Sequence, residues 1–384
     1  MNTLKRILST LTAVLALFPL SVVPVQAEDT IKIGALLAET GPASFLGAPE
    51  AKTLRMLVED LNAKGGINGR PVELIIKDTG ASPEKAVSFA KQLIDEEKVF
   101  AIIGPSTSGE TMQIKNIAEE GKTLLLSCAA AEVIVNPVAK YVFKVAPSDR
   151  FAAEMIFHQM KKMGITKVGV LSSNTGFGKA GKEQLEKFAG DHGIQIAVNE
   201  VYDKAATDLT AEVTKLKAAN VQALINWSIE PAQAIVIKNA RQIGMTVPIF
   251  QSHGFANIQY ARTAGAAAEG ILFPASRLVV ADALDDKHPQ KQVVMDYKKA
   301  YESRFKEDVS TFGGHGYDAF MILVRALKEG GRDREKVRTS IESMKGFVGT
   351  AGTFTFSPAD HNGLDISAFA MLTVKDGKFV PVDK

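Results

Sequence analysis

Two segments of this 384-residue sequence join a β-rich run to a helical pattern through glycines and hydroxyl side chains, a combination suited to holding a small molecule. Gly104-Pro105-Ser106-Thr107-Ser108-Gly109 sets three hydroxyls and the free backbone N–H groups of a helix start in one turn. The positive end of the helix dipole makes such a turn a seat for a carboxylate or another small anion, although a plain N-cap uses only one of the hydroxyls. Gly176-Phe177-Gly178-Lys179-Ala180-Gly181-Lys182-Glu183 nearly satisfies the phosphate loop G-x-x-x-x-G-K-[ST], but Glu183 stands where a magnesium-binding hydroxyl is needed. That carboxylate argues against a nucleotide.

Catalysis and metal chemistry find little support. His158, His192, His253, His288, His315 and His361 fall without H-x-x-x-H or H-E-x-x-H spacing, and one cysteine, Cys128, cannot build a zinc cluster. No G-x-S-x-G elbow occurs and no pair of carboxylates stands out. The expectation is a non-catalytic binding protein with no cofactor and no metal.

The elements that position these segments follow from periodicity. From Ile31 the expected order is a strand over 31–37, a helix over 49–64, a strand over 72–78, a helix over 83–97, a strand over 100–104, a helix over 108–120 and a strand over 124–127. After a run over 142–145 the pattern restarts: helix 150–163, strand 168–172, helix 178–193, strand 195–201, helix 209–219, strand 223–226, helix 231–244, strand 248–251. Helices over 291–305, 317–328 and 334–344 and short strands over 354–356 and 368–374 are too few for a third domain. Strands of continuous apolar character alternating with helices indicate two similar doubly wound parallel-sheet α/β lobes. Ligands of such sheets bind beyond the carboxyl ends of the strands, which points to the loops over 40–47, 104–109, 127–132, 172–178, 226–231 and 251–255.

Residues 1–27 carry Lys5 and Arg6, an apolar run and a Val25-Gln26-Ala27 ending, the order of a cleaved secretory signal peptide. Cys128 lies far from that cleavage point, so no lipid-anchoring cysteine is expected there, and a free periplasmic protein follows. Removing Lys5 and Arg6 brings 45 basic against 43 acidic residues into balance, which disfavours a nucleic-acid partner.

Beyond these readings, Ile31-Lys32-Ile33-Gly34, Thr40-Gly41-Pro42, Asn62-Ala63-Lys64-Gly65-Gly66-Ile67-Asn68-Gly69-Arg70, Ile102-Ile103-Gly104 and Gly316-Tyr317-Asp318-Ala319 occur in an order and spacing that resemble the leucine/isoleucine/valine-binding proteins. These are receptors of branched-chain amino-acid-type ABC importers with the type I periplasmic-binding fold. The resemblance implies two lobes joined by a three-strand hinge, a monomer, and an inner-membrane permease with ATPase subunits as partner. It divides the chain into an N-terminal lobe over 28–148 and 278–353 and a C-terminal lobe over 149–277 and 354–384.

The resemblance also places a pocket at Phe45, Leu46, Ser106, Thr107, Ser108, Ala129, Ala130, Ala131, Phe177, Trp227, Ile229 and His253. The family's carboxylate-gripping serine falls at Ser108. Its threonine is lost at Ala131, whose backbone N–H remains. The acidic partner of the ligand ammonium falls at His253, and a buried ammonium without a carboxylate is costly by several kcal/mol. Pocket tyrosines fall at Leu46, Phe177 and Ile229, leaving an apolar, partly aromatic pocket. The implied cargo is a small carboxylate, an aromatic acid or aromatic keto acid favoured, with a branched-chain or other apolar amino acid as the alternative. Glu230, beside Ile229, could supply the missing acid, and Arg277 could be a second anion anchor.

Overall fold

The computed structural model describes residues 30–382, so the leader expected over 1–27 lies outside the described residues. The first lobe is built on β1 (Ile31–Leu37), α1 (Ser44–Ala63), β2 (Val72–Asp78), α2 (Pro83–Lys91), β3 (Ala101–Ile103), α3 (Ser108–Glu120), β4 (Leu124–Ser127) and β5 (Val142–Lys144). Its sheet is wholly parallel in the order β2-β1-β3-β4-β5. Both faces are covered: Ile33, Ala35, Ile103, Leu124 and Leu126 enter one apolar cluster, and Leu36, Ile102 and Leu125 enter another on the opposite face. Successive side chains of a strand point to opposite faces, so only a sheet sandwiched between helices accepts such runs. Each fully buried Leu or Ile contributes roughly 1.5–3 kcal/mol.

The second lobe contains α4 (Asp149–Lys162), β6 (Lys167–Ser173), α5 (Gly176–Ala189), β7 (Gln195–Tyr202), α6 (Thr210–Ala218), β8 (Ala223–Trp227), α7 (Ala232–Gln242), β9 (Ile249–Gln251), α8 (Ile258–Ala264) and β10 (Leu272–Ala275). The chain then returns to the first lobe. There α9 (Lys291–Phe305) packs Val294, Tyr297 and Tyr301 with Met56 of α1, and α10 (Thr311–Gly330) and α11 (Arg334–Ser343) cover the sheet. A two-stranded ribbon of β11 (Phe347–Val348) and β12 (Thr353–Phe354) follows, and β13 (Ala370–Lys375) and β14 (Lys378–Pro381) complete the second sheet. Its order is β14-β13-β10-β9-β8-β6-β7, parallel except that β13 runs antiparallel to both of its neighbours, β10 and β14. Among the described residues no helix is long and apolar enough to cross a membrane.

The chain passes between the lobes near residues 145–149, 275–278 and 368–370. The sequence reading puts the last crossing after Thr353, but Phe354, Phe356, Leu364 and Ala368 all pack in the core of the first lobe. Fifteen or so residues thus change sides. Asn362, within the segment that stays in the first lobe, ties down the first crossing by donating to the carbonyls of Lys144 (3.2 Å) and Ala146 (3.0 Å). Lys144 is fully buried there and donates to Ala146 O (3.0 Å) and to Asn362 Oδ1 (3.1 Å). Burial pulls its ammonium down to about 8, against the upward pull of nearby Asp149, whose own carboxyl burial lifts to about 6.

Candidate functional site in the cleft between the lobes

The carboxyl ends of strands from both sheets converge on one enclosed cavity. Ser106 and Ser108 come from the turn after β3, Ala129 and Ala130 from the turn after β4, and Phe177 from the start of α5. Ile229 and His253 follow β8 and β9, while Leu46, Ala146, Phe312 and His315 complete the wall from the first lobe. The lobes are closed upon each other. Leu46, Ala130, Ala146 and Phe312 of the first lobe belong to the same apolar cluster as Phe177, Trp227 and Ile229 of the second. Across the seam Asn257 Nδ2 donates to Phe45 O at 3.1 Å. This closure leaves an inner cavity of ≈ 20 Å³, room for about one water molecule. Any larger guest therefore requires the lobes or side chains to yield.

The turn before α3 sorts its three hydroxyls into different tasks. Gly104 has φ +95°, and a Cβ there would lie 2.3 Å from Leu36 O, so only glycine permits the bend. Ser106 Oγ accepts from Ala38 N at 3.1 Å and donates to the fully buried Glu50. Thr107 is the N-cap, accepting from Glu110 N and donating to the Glu110 carboxylate at 2.5 Å. Ser108 is left for a guest: its Oγ accepts only a 3.3 Å bond from Ala131 N. A hydroxyl and a backbone N–H thus meet at a helix N-terminus, a fitting seat for a carboxylate.

His253 forms the opposite wall. Its ring stands edge-on to Phe177 at 5.2 Å and to Trp227 at 5.7 Å and tilts against Phe369 at 5.4 Å. Neither ring nitrogen has a hydrogen-bond partner. Burial, then the neighbouring His315 and Lys144, pull it down to about 3, so the imidazole is neutral at pH 7. His315 of α10 is likewise pulled to about 3 by burial and then by Lys144, and its Nδ1 is unpartnered. The Cys128 thiol beside them is pushed well up by burial, which leaves it unreactive.

Eight of the twelve expected pocket residues line this cavity: Leu46, Ser106, Ser108, Ala129, Ala130, Phe177, Ile229 and His253. Thr107 lines an adjoining outer cavity of ≈ 180 Å³ with Pro42, Ala43 and Glu230, and Phe177 and Ile229 wall both cavities. Trp227 lies behind Phe177 and His253 as fully buried support, Ala131 offers only its backbone, and Phe45 stacks edge-on against Tyr260 at 5.0 Å. Glu230 does not reach the inner cavity. Its carboxylate turns back to accept from Ser228 Oγ at 2.7 Å and Ile229 N at 3.2 Å. Arg277 is no anchor in the cleft either, because its guanidinium donates to Ser367 O at 2.6 Å in a groove with Met155 and His158.

The glycines of the phosphate-loop-like run answer to packing. A Cβ at Gly178 would lie 2.0 Å from Ser173 O, and one at Gly181 would lie 2.0 Å from the Trp227 ring. Missing from the expected pocket residues are Phe312, His315, Cys128, Ala146 and Gly254. The only signal for His315 was its place one residue before the Gly316-Tyr317-Asp318-Ala319 segment.

Two lobes closing on a small enclosed site define a clamshell receptor for a small solute. A family model described as periplasmic binding protein matches residues 30–378, and the chain belongs to that family. The resemblance to the leucine/isoleucine/valine-binding proteins holds among its relatives. The leucine-, isoleucine-, valine-, threonine- and alanine-binding protein of Pseudomonas aeruginosa is 26% identical over 324 residues, which is 83% of each chain. An extracellular ligand-binding receptor from Rhodopseudomonas palustris superposes with a TM-score of 0.86 at 29% identity, covering 91% of this chain and 99% of that one. The branched-chain amino acid transporter substrate-binding protein LivJ from Streptococcus pneumoniae, solved with isoleucine, gives a TM-score of 0.81 at 26% identity, covering 91% and 97%.

Proposed function

We propose that the chain is the periplasmic substrate-binding component of a branched-chain amino-acid-type ABC uptake transporter. It captures a small apolar carboxylate by lobe closure and presents it to a membrane permease driven by ATPase subunits. The observation that carries this reading is the meeting of Ser108 Oγ and Ala131 N, 3.3 Å apart at the start of α3, under a wall of Leu46, Phe177 and Ile229. The relatives named for leucine, isoleucine and valine support a branched-chain or other apolar amino acid better than an aromatic acid. A second reading, an aromatic acid or aromatic keto acid, is favoured by the neutral His253 among aromatic rings.

Titration calorimetry with leucine, isoleucine, valine, benzoate and phenylpyruvate tests the proposal. Ser108→Ala removes one hydrogen bond to a charged group, worth about 1.5–3 kcal/mol, and is expected to weaken whichever carboxylate binds by roughly 10- to 100-fold. Unchanged affinity in that variant would remove Ser108 from the site.

A further inference from the structure

The chemistry next to the carboxylate seat can be read from what lines it. Ser108, His253 and His315 border one cavity of ≈ 20 Å³, so a group held by Ser108 lies beside both imidazoles. The two rings come from different lobes, His253 following β9 and His315 within α10, and are 7% and 4% exposed. Both nitrogens of His253 and Nδ1 of His315 lack partners, and an unpaired buried polar atom is costly unless a guest satisfies it. No Asp or Glu lines the cavity. Glu230 is turned back on its own loop, and Glu50 sits behind Ser106 with its carboxyl pushed toward the protonated form by burial, then lowered by Ser106 and raised by Glu110. Lys144 adds a positive field that pulls both histidines down.

A neutral imidazole presents one donor and one acceptor. A hydroxyl answers both, accepting from the N–H of His253 and donating to Nδ1 of His315, whose N–H is taken by the Cys128 backbone, whereas an ammonium would be buried with no carboxylate lining the cavity. We propose that His253 and His315 together receive a hydroxyl on the carbon next to the ligand carboxylate, His253 donating to it and His315 Nδ1 accepting from it, making the cargo a 2-hydroxy acid with an apolar side chain. This rests on the reading of the cleft as a seat for an apolar carboxylate. Because one imidazole comes from each lobe, that hydroxyl also bridges the lobes and favours closure. Sites built to hydrogen-bond a substituent reject analogues lacking it far more sharply than apolar pockets reject a methylene.

Calorimetry on the intact exported chain would compare two families of matched ligands. One is leucine, 4-methyl-2-oxopentanoate, 2-hydroxy-4-methylpentanoate and 4-methylpentanoate; the other is phenylalanine, phenylpyruvate, phenyllactate and 3-phenylpropanoate. The hydroxy acid of at least one family is expected to bind at least about tenfold tighter than the other three members of that family. His253→Gln and His315→Gln should each erase most of that preference. His253→Glu should shift preference toward the amino acid. Leucine, phenylalanine or an oxo acid binding more tightly than the hydroxy acid of its family overturns this inference and leaves the receptor reading standing. The unsubstituted acids binding equally well overturns it too, and failure of all eight carboxylates to bind sinks both.

Discussion

Gly176→Ala loses at least about tenfold in ligand affinity while its ligand-free melting temperature stays within about 2 °C of the parent. Gly176 opens α5 in the second lobe, and Gly109 lies at the second position of α3 in the first. A Cβ on Gly176 would sit 2.6 Å from Gly109 Cα and 2.7 Å from Gly109 N, with backbone on both sides of the clash and no flexible side chain to give way. The contact exists only when the lobes meet. Within its own lobe residue 176 has room and needs no left-handed backbone, so the fold itself is not taxed. A clash that depopulates the closed form raises the apparent Kd by the fraction lost. Gly109→Ala is the matching control: its Cβ would meet Gly176 N at 3.7 Å and Cα at 3.8 Å, ordinary contacts, and affinity should hold. Calorimetry paired with thermal unfolding separates the two variants, and equal affinities would show that α3 and α5 do not approach this closely around the ligand.

The same glycines show how far the sequence could be read. Their spacing imitates a phosphate loop, yet the physical demands on them are the close approaches of helix to helix, helix to strand and helix to Trp227, none of which a linear pattern encodes. Interior strands were legible because β3, β4, β8 and β9 are buried at every residue, as a sheet covered on both faces requires. β10 was missed because Pro274 in Leu-Phe-Pro-Ala argues against a central strand, although β10 pairs with β9 and β13. β14 was missed despite a usable signal: Asp376 and Gly377, with φ 51° and 69°, form the Asp-Gly turn of a two-residue hairpin. The largest cost came from α10, expected over 317–328 but running from Thr311. Gly313, Gly314 and Gly316 lower helix propensity, and they are there because Tyr297, Thr350 and Glu50 press against that turn. Starting the helix late hid Phe312 and His315. Phe45 and Leu46, expected in a loop, occupy the first turn of α1, where Leu46 is held toward the cavity.

Acidification should release the ligand before it unfolds the protein. For each histidine that opening exposes, affinity is expected to fall by up to about tenfold per pH unit between pH 6.5 and 5. His253 and His315 are held near 3 in the closed form against an ordinary 6.5 by burial first, with Lys144 acting on both and His315 on His253. The other groups facing them are uncharged: Phe177, Trp227 and Phe369 around His253, Phe312 and the Cys128 backbone around His315. A depressed histidine stabilises the closed form fully above its open-form value and loses that contribution as pH falls toward the closed-form value, which sets the window below about 6.5. Lys144, near 8, is protonated on both sides of that window and adds no slope. The buried acids act in the opposite sense on the fold as a whole. Asp318, raised to about 7, and Asp149, raised to about 6, contribute stability that is complete below their ordinary 3.8 and lost as pH rises through the raised values. Lowering the pH therefore relieves the fold at Asp318 and Asp149 while it opposes closure at the histidines. Affinity should drop over a range in which the melting temperature of the ligand-free protein holds or rises, and above pH 5 the ligand carboxylate stays ionised and cannot account for the loss. The His253→Gln, His315→Gln double variant should flatten the affinity profile without moving the melting curve to match. A parent affinity that stays level from pH 7 to 5 would mean that the two imidazoles are as deeply buried in the open form as in the closed one.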